Sequence, residues 1–570
     1  MMSTQHRVAL LSLMIWLVAC GTRGASGVAG PREAAPSTAP QRTLNIIVRG
    51  EPPSLASKPL VGYSGSLTPP IRLFNGTLDE VDEKRVPHPY LETDLPALNT
   101  DSWRVMPDGR METTHRLRPN LTWHDGVALT AEDFVFGWQV YAAPDLGASQ
   151  SEPIREMEEV AAVDPQTVVI HWKAPFPDAA QMDATFQALP KHILGDTFAQ
   201  RDPSEFVSLP FWTVDYVGLG PYRVESWEPG AYIEASAFAG HALGRPKIDR
   251  LRLEFVGDPN TALAKMLSGD AQYVADFVLD YDGGQTLERE WATRNGGTVF
   301  YAPVLMRLTE IQLRPEIANP KSLLDPRVRA ALAYAFDVPG ALDVFTGGHG
   351  VATSTLTSPL TDYYPQIAKV ITKRDYNLQT AQQKLEAAGM RRDADGFYVS
   401  ASGEPLKLDI WTTGGAVFER ENRIFADSLR QAGVDATPQS MTPARLSDAQ
   451  ARALTPGLFT SGAGNKRLGD FVLDNIPRPE NRWNGNNRGG WRSPDYDRFY
   501  QAYSTTLDPN ERIERIADME RVLNEDVGAI PHYFTTVVTA YSSQLSGPSA
   551  RMDPDAPLTI YRIENWTWQS

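Results

Sequence analysis

Residues 117–138, which read LRPNLTWHDGVALTAEDFVFGW, combine two strong local signals and constrain the fold more than any other stretch. Asp125-Gly126 lies between short runs with apolar residues at alternate positions, and this dipeptide favours the tight turn of a hairpin. Thr130 and Asp133 follow, and their side chains can accept the unpaired N–H groups at a helix start. The stretch therefore predicts a hairpin and then a helix that begins directly after Thr130.

Three aromatic residues of this predicted helix have the spacing of one face. Phe134, Trp138 and Tyr141 would turn three rings towards a core. We assign Trp138, and Trp123 in the hairpin, to packing. Nothing in the stretch points to chemistry.

Similar signals recur along the chain. Apolar residues alternate in residues 43–48, and residues 167–172 form a β-branched run, so both stretches are predicted strands. Asp325-Pro326 favours a helix start, and we expect Pro339-Gly340 to end that helix. Strands that alternate with helices favour an α/β fold with partly parallel sheets.

Size and charge limit the classes of function. The chain has 570 residues, too many for one compact core, so we expect two or three lobes. Its formal net charge is -16 at pH 7. This charge argues against nucleic acid or an anionic membrane surface as the main partner, because either would need a basic face.

The N-terminal residues predict export. Arg7 lies in a short polar start, and the apolar run that follows, residues 8–18, is too short to span a bilayer. We interpret residues 1–20 as a signal peptide. Residues 21–42 are rich in Gly, Ala, Ser and Pro and are expected to form a flexible tether.

The cysteine at the end of the signal peptide predicts a lipid anchor. LVACG, residues 17–21, resembles a bacterial lipobox, in which Cys20 becomes the lipidated first residue after cleavage. An ordinary signal peptide with an incidental cysteine is the alternative. Cys20 is the only cysteine, which excludes a disulfide framework and a cysteine-based metal site. We expect an exported protein, lipid-anchored in the periplasm or on the outer face of the cytoplasmic membrane.

Several blocks, in a fixed order, resemble the family 5 extracytoplasmic solute-binding proteins, the dipeptide and oligopeptide group of ABC importers. The blocks are residues 117–138, 218–230 (GLGPYRVESWEPG), 258–271 (DPNTALAKMLSGDA), 325–337 (DPRVRAALAYAFD), 381–389 and 493–499 (SPDYDRF). Their order and spacing beside a lipobox make the resemblance specific.

The resemblance implies a two-lobed periplasmic-binding-protein-like fold of type II, with an extra domain and a hinge. A solute would be trapped as the lobes close, and the closed form would dock on a permease that uses ATP hydrolysed by a separate subunit. We expect a monomer without enzymatic activity, catalytic residues, metal or cofactor. The expected parts are lobe I (residues 43–70, 216–300 and 530–570), the extra domain (71–215) and lobe II (301–529).

The cargo is less constrained than the family. Peptide binders of this family commonly place an acidic residue, soon after a tryptophan, against the peptide amine. The nearest counterpart here, LFTSGAGNKRLGD in residues 458–470, has no tryptophan and places Gly464-Asn465 near that position. Asp470 is a possible substitute, to which we do not transfer the role. The cargo is expected to be an oligopeptide or a similarly sized polar solute.

Five residues are candidate ligand contacts. Trp411 precedes a glycine pair, and Trp483 with Asn484 lies in the segment RWNGNNRGGW. Tyr63 and Ser64, in the first long loop, are weaker candidates. Aromatic rings can stack on a solute, but packing or surface anchoring remains the alternative for each tryptophan.

Two other functions remain open. The chain could bind a solute, such as a peptide signal, and pass it to a membrane receptor as a sensor. It could also be an exported hydrolase of peptides or glycans, although the sequence contains neither a G-x-S-x-G elbow nor a Walker A motif.

Overall fold

The structure is a computed structural model that describes residues 42–58, 60, 71–146, 152–462, 468–550 and 560–569. The chain divides into two compact units, Met1–Gln41 and Arg42–Ser570. The first unit lies outside the described residues, and with it the predicted signal peptide and Cys20. In the part of the chain that is described, no helix is long and apolar enough to cross a membrane.

The described part contains strands and helices in alternation. The strands are β1 Thr43–Val48, β2 Asp79–Val81, β3 Pro87–Pro89, β4 Trp103–Val105, β5 Met111–Arg116, β6 Met157–Asp164, β7 Thr167–Trp172, β8 Tyr222–Glu228, β9 Tyr232–Ala237, β10 Arg250–Phe255, β11 Tyr273–Leu279, β12 Gly297–Ile311, β13 Val351–Ala352, β14 Arg391–Arg392, β15 Tyr398–Val399, β16 Lys407–Thr413, β17 Asp435–Met441, β18 Leu458–Ser461, β19 Ala529–Ser542, β20 Leu545–Ser546 and β21 Thr567–Trp568. The helices are α1 Ile71–Phe74, α2 Ala131–Ala142, α3 Lys191–Ala199, α4 Pro203–Val207, α5 Pro259–Ser268, α6 Tyr281–Ala292, α7 Pro326–Ala333, α8 Val338–Thr346, α9 Tyr364–Ile367, α10 Leu378–Ala387, α11 Ala416–Ala432, α12 Pro443–Ser447, α13 Ala449–Ala453, α14 Pro494–Thr505 and α15 Pro509–Asp526.

One large mixed sheet organises the molecule. Its strand order is β17-β16-β18-β12-β19-β11-β1-β10-β9-β8, with β13 paired to β19. We call β1 and β8–β11 half I. Half II comprises β13 and β16–β18, with the described helices and loops of residues 312–528 that pack against them or against the adjoining part of β12 and β19. Strand β1 pairs in parallel with β10 and β11, and β16 pairs in parallel with β17 and β18. The predicted α/β fold with partly parallel sheets is confirmed.

Two long strands join the halves. The fifteen-residue β12 and the fourteen-residue β19 pair antiparallel, from Gly297 opposite Ser542 beside half I to Glu310 opposite Ala529 within half II. At the usual rise per residue, β12 spans about 50 Å. The register shifts twice along this ribbon, between Pro303 and Leu305 and between Arg307 and Leu308. The halves are therefore joined through a single two-stranded ribbon within the main sheet.

A second, smaller sheet packs with half I. Strands β4, β5, β7 and β6 form a four-stranded antiparallel sheet that packs beside α2. Buried residues of this sheet and of half I, such as Ile170 and Leu253, belong to one continuous hydrophobic core. Half II has a core of its own between its sheet and α11, which includes Ile410, Phe425 and Leu429.

The stretch at residues 117–138 folds as its local signals predict. The N–H of Trp123 donates to the Val127 carbonyl at 2.8 Å across the turn, and Gly126 has a φ of +89° that favours glycine. Helix α2 begins at Ala131, where the Asp133 carboxylate accepts the Thr130 N–H at 2.9 Å. The expected aromatic face is present, with Phe134 and Tyr141 fully buried and Trp138 half-buried.

One predicted boundary is wrong. The helix that begins at Pro326 ends at Ala333, and Pro339-Gly340 lies in the first turn of a second helix, α8. The Asp337 side chain accepts the Gly340 N–H at 2.9 Å and caps α8. Proline in a first helical turn loses no hydrogen bond, so an aspartate cap with a proline in the first turn starts both α7 and α8.

We predict that Asp133→Ala destabilises the full chain by about 1–2 kcal/mol, because the N–H groups of Thr130 and Lys191 lose the carboxylate that accepts both of them in part-buried hydrogen bonds. Urea unfolding followed by tryptophan fluorescence measures the loss. Glu132→Ala is the matched control, since the exposed Glu132 pairs with the exposed side chain of Lys191, and should cost less than about 0.5 kcal/mol. Equal losses would contradict this role of Asp133.

Candidate functional site

The carboxyl ends of three parallel strands in half II face half I. Strand β12 runs from half I into half II, and β18 is antiparallel to it, so β18 points back towards half I. Strands β16 and β17 run parallel to β18. The edge formed by their last residues, Thr413, Met441 and Ser461, is the place where ligands bind in open α/β sheets.

A helix begins at this edge. Gly414 and Gly415 follow β16, and Gly415 has a φ of +128° just before α11, a backbone conformation that favours glycine. The free N–H groups and the dipole of a helix start attract acceptors and anions. Glycine at this position therefore brings a helix N-terminus to the edge of the sheet.

A buried ionic network lies beside the same edge. Arg307 on β12 is directly opposite Tyr533 on β19, and both side chains contact the carboxylate of Glu421 on α11. The Arg307 Nε donates to Glu421 Oε1 at 3.1 Å, Nη2 donates to Oε2, and the Tyr533 hydroxyl donates to Oε1. All three residues are at most 2% exposed.

The network keeps its charges although it is buried. Burial by itself would lower the pKa of Arg307, but the adjacent Glu421 carboxylate outweighs it and raises that pKa above the ordinary value. Burial and the same carboxylate raise the pKa of Tyr533 well above its ordinary value. The arginine is therefore cationic and the tyrosine a neutral hydrogen-bond donor at physiological pH.

Within the described residues, Arg307 retains one donor group without a partner. Its Nη1 is buried and makes no hydrogen bond there, while its guanidinium carbon lies 4.5 Å from the centre of the Phe418 ring. Gly462, directly after β18, allows this placement, because a Cβ there would lie 2.9 Å from Nη1 and 2.5 Å from the Met306 carbonyl oxygen. The network thus offers a cationic donor next to the carboxyl end of β18.

A row of polar side chains crosses the sheet beneath α11. Thr309 bonds to Thr460 and to His532 Nε2, each at 2.7 Å, and Thr412 lies opposite Thr460 on the next strand. His532 packs between the rings of Phe336 and Phe425. Burial, with Arg307 nearby, lowers the pKa of His532 to about 3, so its ring is neutral and the row carries no charge. These bonds fix the relative positions of β18, β12 and β19.

Trp411 lies near the edge but on the other face of the sheet. Leu408, Ile410 and Thr412 are buried on the face covered by α11, and Trp411 alternates with them. Its ring is half-buried under the Arg445 guanidinium, 4.1 Å away, and its Nε1 is buried with no hydrogen-bond partner in the described part of the chain.

Trp483 and Asn484 lie in a loop of half II. Trp483 is half-buried with a φ of +61°, its N–H donates to the Arg478 carbonyl at 2.9 Å, and Asn484 is exposed. Further along the loop, Asn486 donates to Asp470 at 2.9 Å. The structure therefore places Trp411 on the sheet and Trp483 on this separate loop. Within the described residues, no hydrogen bond or ring contact joins Trp411 to Trp483 or to Asn484. Tyr63, Ser64 and Gly464-Asn465 lie outside the described residues.

Three residues of the site, Arg307, Glu421 and Tyr533, are not among the candidates predicted from the sequence. A signal for one of them was present, since Arg307 interrupts the apolar run VLMRL, where a lone charge in a strand needs a buried partner. Its partner, Glu421, is 114 residues away and has no local signature.

We predict that Glu421→Gln destabilises the protein by about 3 kcal/mol, because it leaves the buried Arg307 charge without compensation. The double variant Arg307→Met/Glu421→Met should be less destabilising than the single variant, because it removes both charges. Urea unfolding of the three proteins measures the difference. A double variant that is destabilised as much as Glu421→Gln, or more, would contradict a coupled ion pair.

Comparisons with known proteins agree with this architecture. Residues 95–472 match the model of the bacterial extracellular solute-binding proteins, family 5. The chain is 25% identical over 442 residues to the oligopeptide-binding protein AppA of Bacillus subtilis, which covers 75% of this chain and 74% of AppA. That relative is a binding protein, which supports the expectation of a role other than an enzyme.

Two solved structures show the fold. The oligopeptide-binding protein of Thermus thermophilus, complexed with a pentapeptide, has a TM-score of 0.73 at 20% identity and covers 92% of this chain and 96% of its own. NikZ of Campylobacter jejuni, in complex with Ni(L-His), has a TM-score of 0.70 at 21% identity. The match covers 90% of this chain and 96% of NikZ. With its two-lobed α/β fold, the chain belongs to the bacterial extracellular solute-binding proteins of family 5.

Proposed function

We propose that this chain is the exported, lipid-anchored receptor of an ABC importer, which traps an oligopeptide or a similar polar solute between two lobes and delivers it to a membrane permease. The permease would work with a separate ATPase subunit, and the receptor would act as a monomer. One observation carries the proposal: the carboxyl ends of β16–β18 face half I across the ribbon of β12 and β19.

The ribbon provides the physical basis of closure. A solute that contacts both halves binds more tightly when the halves are close together than when they are apart. Its binding shifts the equilibrium towards the closed arrangement by the difference between its affinities for the closed and open arrangements. We propose that lobe I comprises residues 43–70, 216–300 and 530–570, that lobe II comprises 301–529, and that the extra domain comprises 71–215. The common core of half I and the four-stranded sheet supports placing the extra domain on lobe I.

The proposed solute contacts are polar and aromatic. Arg307 has a free donor for a carbonyl or carboxylate group, and the start of α11 offers backbone N–H groups. Trp411, Trp483 and Asn484, with Tyr63 and Ser64 from the first long loop, remain candidate contacts. Main-chain hydrogen bonds to an extended peptide would bind cargo with little selection among its side chains. The pentapeptide bound by the Thermus thermophilus protein supports this choice of cargo.

We predict that the full chain retains peptides from a mixed pool of two to eight residues, after rapid desalting and mass spectrometry of the bound fraction. Trp411→Ala should lower retention about tenfold, the effect of losing roughly 1.4 kcal/mol of contact. Trp227→Ala is the matched control, because Trp227 is a half-buried tryptophan of β8 in half I that donates to Glu51. If the folded protein retains no peptide from the pool, peptide cargo is refuted.

We predict that Cys20→Ala releases the protein from the membrane, because a thioether-linked lipid can form only on the cysteine side chain. Cell fractionation and incorporation of an alkyne-tagged palmitate test this in the producing bacterium. Ser12→Ala, within the apolar run, is the control and should leave the membrane fraction unchanged. Equal lipid labelling of the Cys20→Ala variant would overturn the anchor.

A further inference from the structure

The four-stranded sheet and half II face each other across a groove. The loop Ala174–Asp178, which follows β7, forms one wall, and Tyr500, Tyr503 and Arg512 of α14 and α15 lie on the other. The groove has a volume of about 600 Å³. It lies between two parts of the molecule that have separate hydrophobic cores.

One ion pair crosses this groove. Arg512 Nη1 and Nη2 lie 2.6 Å from Asp178 Oδ1 and Oδ2, a two-pronged contact between residues 334 positions apart. Nη2 also donates to the Tyr503 hydroxyl at 3.2 Å, and the guanidinium carbon lies 4.4 Å from the centre of the Tyr503 ring. The Arg512 side chain is 20% exposed. Tyr503 thus holds the arginine in the orientation that two-pronged binding requires.

Between the described parts of residues 71–215 and of residues 301–529, Asp178–Arg512 is the only ion pair. Beside it, Leu507 in the α14–α15 turn packs against the core of half I and the four-stranded sheet. The α14–α15 turn therefore contributes one charged and one apolar contact across the groove.

We propose that Asp178 and Arg512 form a latch that stabilises the closed arrangement of the two lobes. The proposal rests on the proposed function, since it requires lobes that open and close. Because the four-stranded sheet shares its core with half I, a bond from that sheet to α15 holds half II against half I. A contact made only in the closed arrangement raises the closed population and slows release of the solute.

The latch acts at a distance from the proposed solute contacts. Within the described residues, Asp178 and Arg512 make no hydrogen bond, ion pair or ring contact with Arg307 or Trp411. The effect of the latch on the affinity for a solute should therefore not depend on the chemistry of that solute. Loss of the pair should weaken retention of every bound solute by a similar factor, about threefold to tenfold, as expected for a shift in the closed fraction.

Small-angle X-ray scattering of the full chain tests the latch without a known solute. The proteins are measured as purified, with their native cargo, and again after unfolding and refolding to remove it. Asp178→Asn and Arg512→Gln should each increase the radius of gyration by about 1 Å, from about 24 Å for a chain of this size, in at least one preparation. The charge-reversed double variant Asp178→Arg/Arg512→Asp should restore the wild-type radius.

Arg521→Gln is the matched control. Arg521 lies on the same helix, but it pairs with Glu525 and Asp518 within half II, so its loss should leave the radius unchanged. High salt should expand the wild-type protein towards the radius of the single variants, because salt screens a partly exposed ion pair.

The outcomes separate the two proposals. Unchanged radii for both single variants in both preparations, or equal expansion of Arg521→Gln, would overturn the latch. A failure to retain peptides, together with the expected change in radius, would refute peptide cargo and leave the latch supported. Melting temperatures of the variants, expected to stay within a few degrees of wild type, confirm that each variant is folded.

Discussion

The antiparallel pairing of β12 with β19 is the constraint on which the rest of the molecule depends. It joins the two halves of the main sheet, and it sets the direction of β18 and therefore of β16 and β17. It also places Arg307 opposite Tyr533, where both reach Glu421. A shift of this pairing by one residue would turn Arg307 to the other face of the sheet, so the register of the ribbon decides the chemistry of the edge.

Local signals made part of the fold predictable. The Asp-Gly turn at 125–126, the helix start after Thr130 and the strand at 43–48 each depend on residues within a few positions, and all three are present in the structure. The error at Pro339-Gly340 has the same origin. Proline and glycine occur at both the starts and the ends of helices. Here the side chain of Asp337, which accepts the Gly340 N–H, makes this dipeptide part of a helix start.

The site could not be predicted in the same way, because its interactions join distant parts of the chain. Glu421 lies 114 residues from Arg307, and Asp178 lies 334 residues from Arg512. Periodicity and turn chemistry say nothing about such pairs, since they depend on which strands become neighbours. The fold family was identifiable from its blocks, but whether Trp411 and Trp483 contact cargo depends on long-range geometry and stays a prediction.

The common core of half I and the four-stranded sheet has a practical consequence. Buried side chains from both, such as Leu44 of β1 and Trp172 of β7, belong to one packed interior, which does not deform in small steps. The two parts should therefore move as one rigid body. A fluorophore or spin label on an exposed position of the small sheet, such as Val163, would report the position of half I without touching the main sheet. The small sheet thus offers an attachment point for following the motion of half I relative to half II.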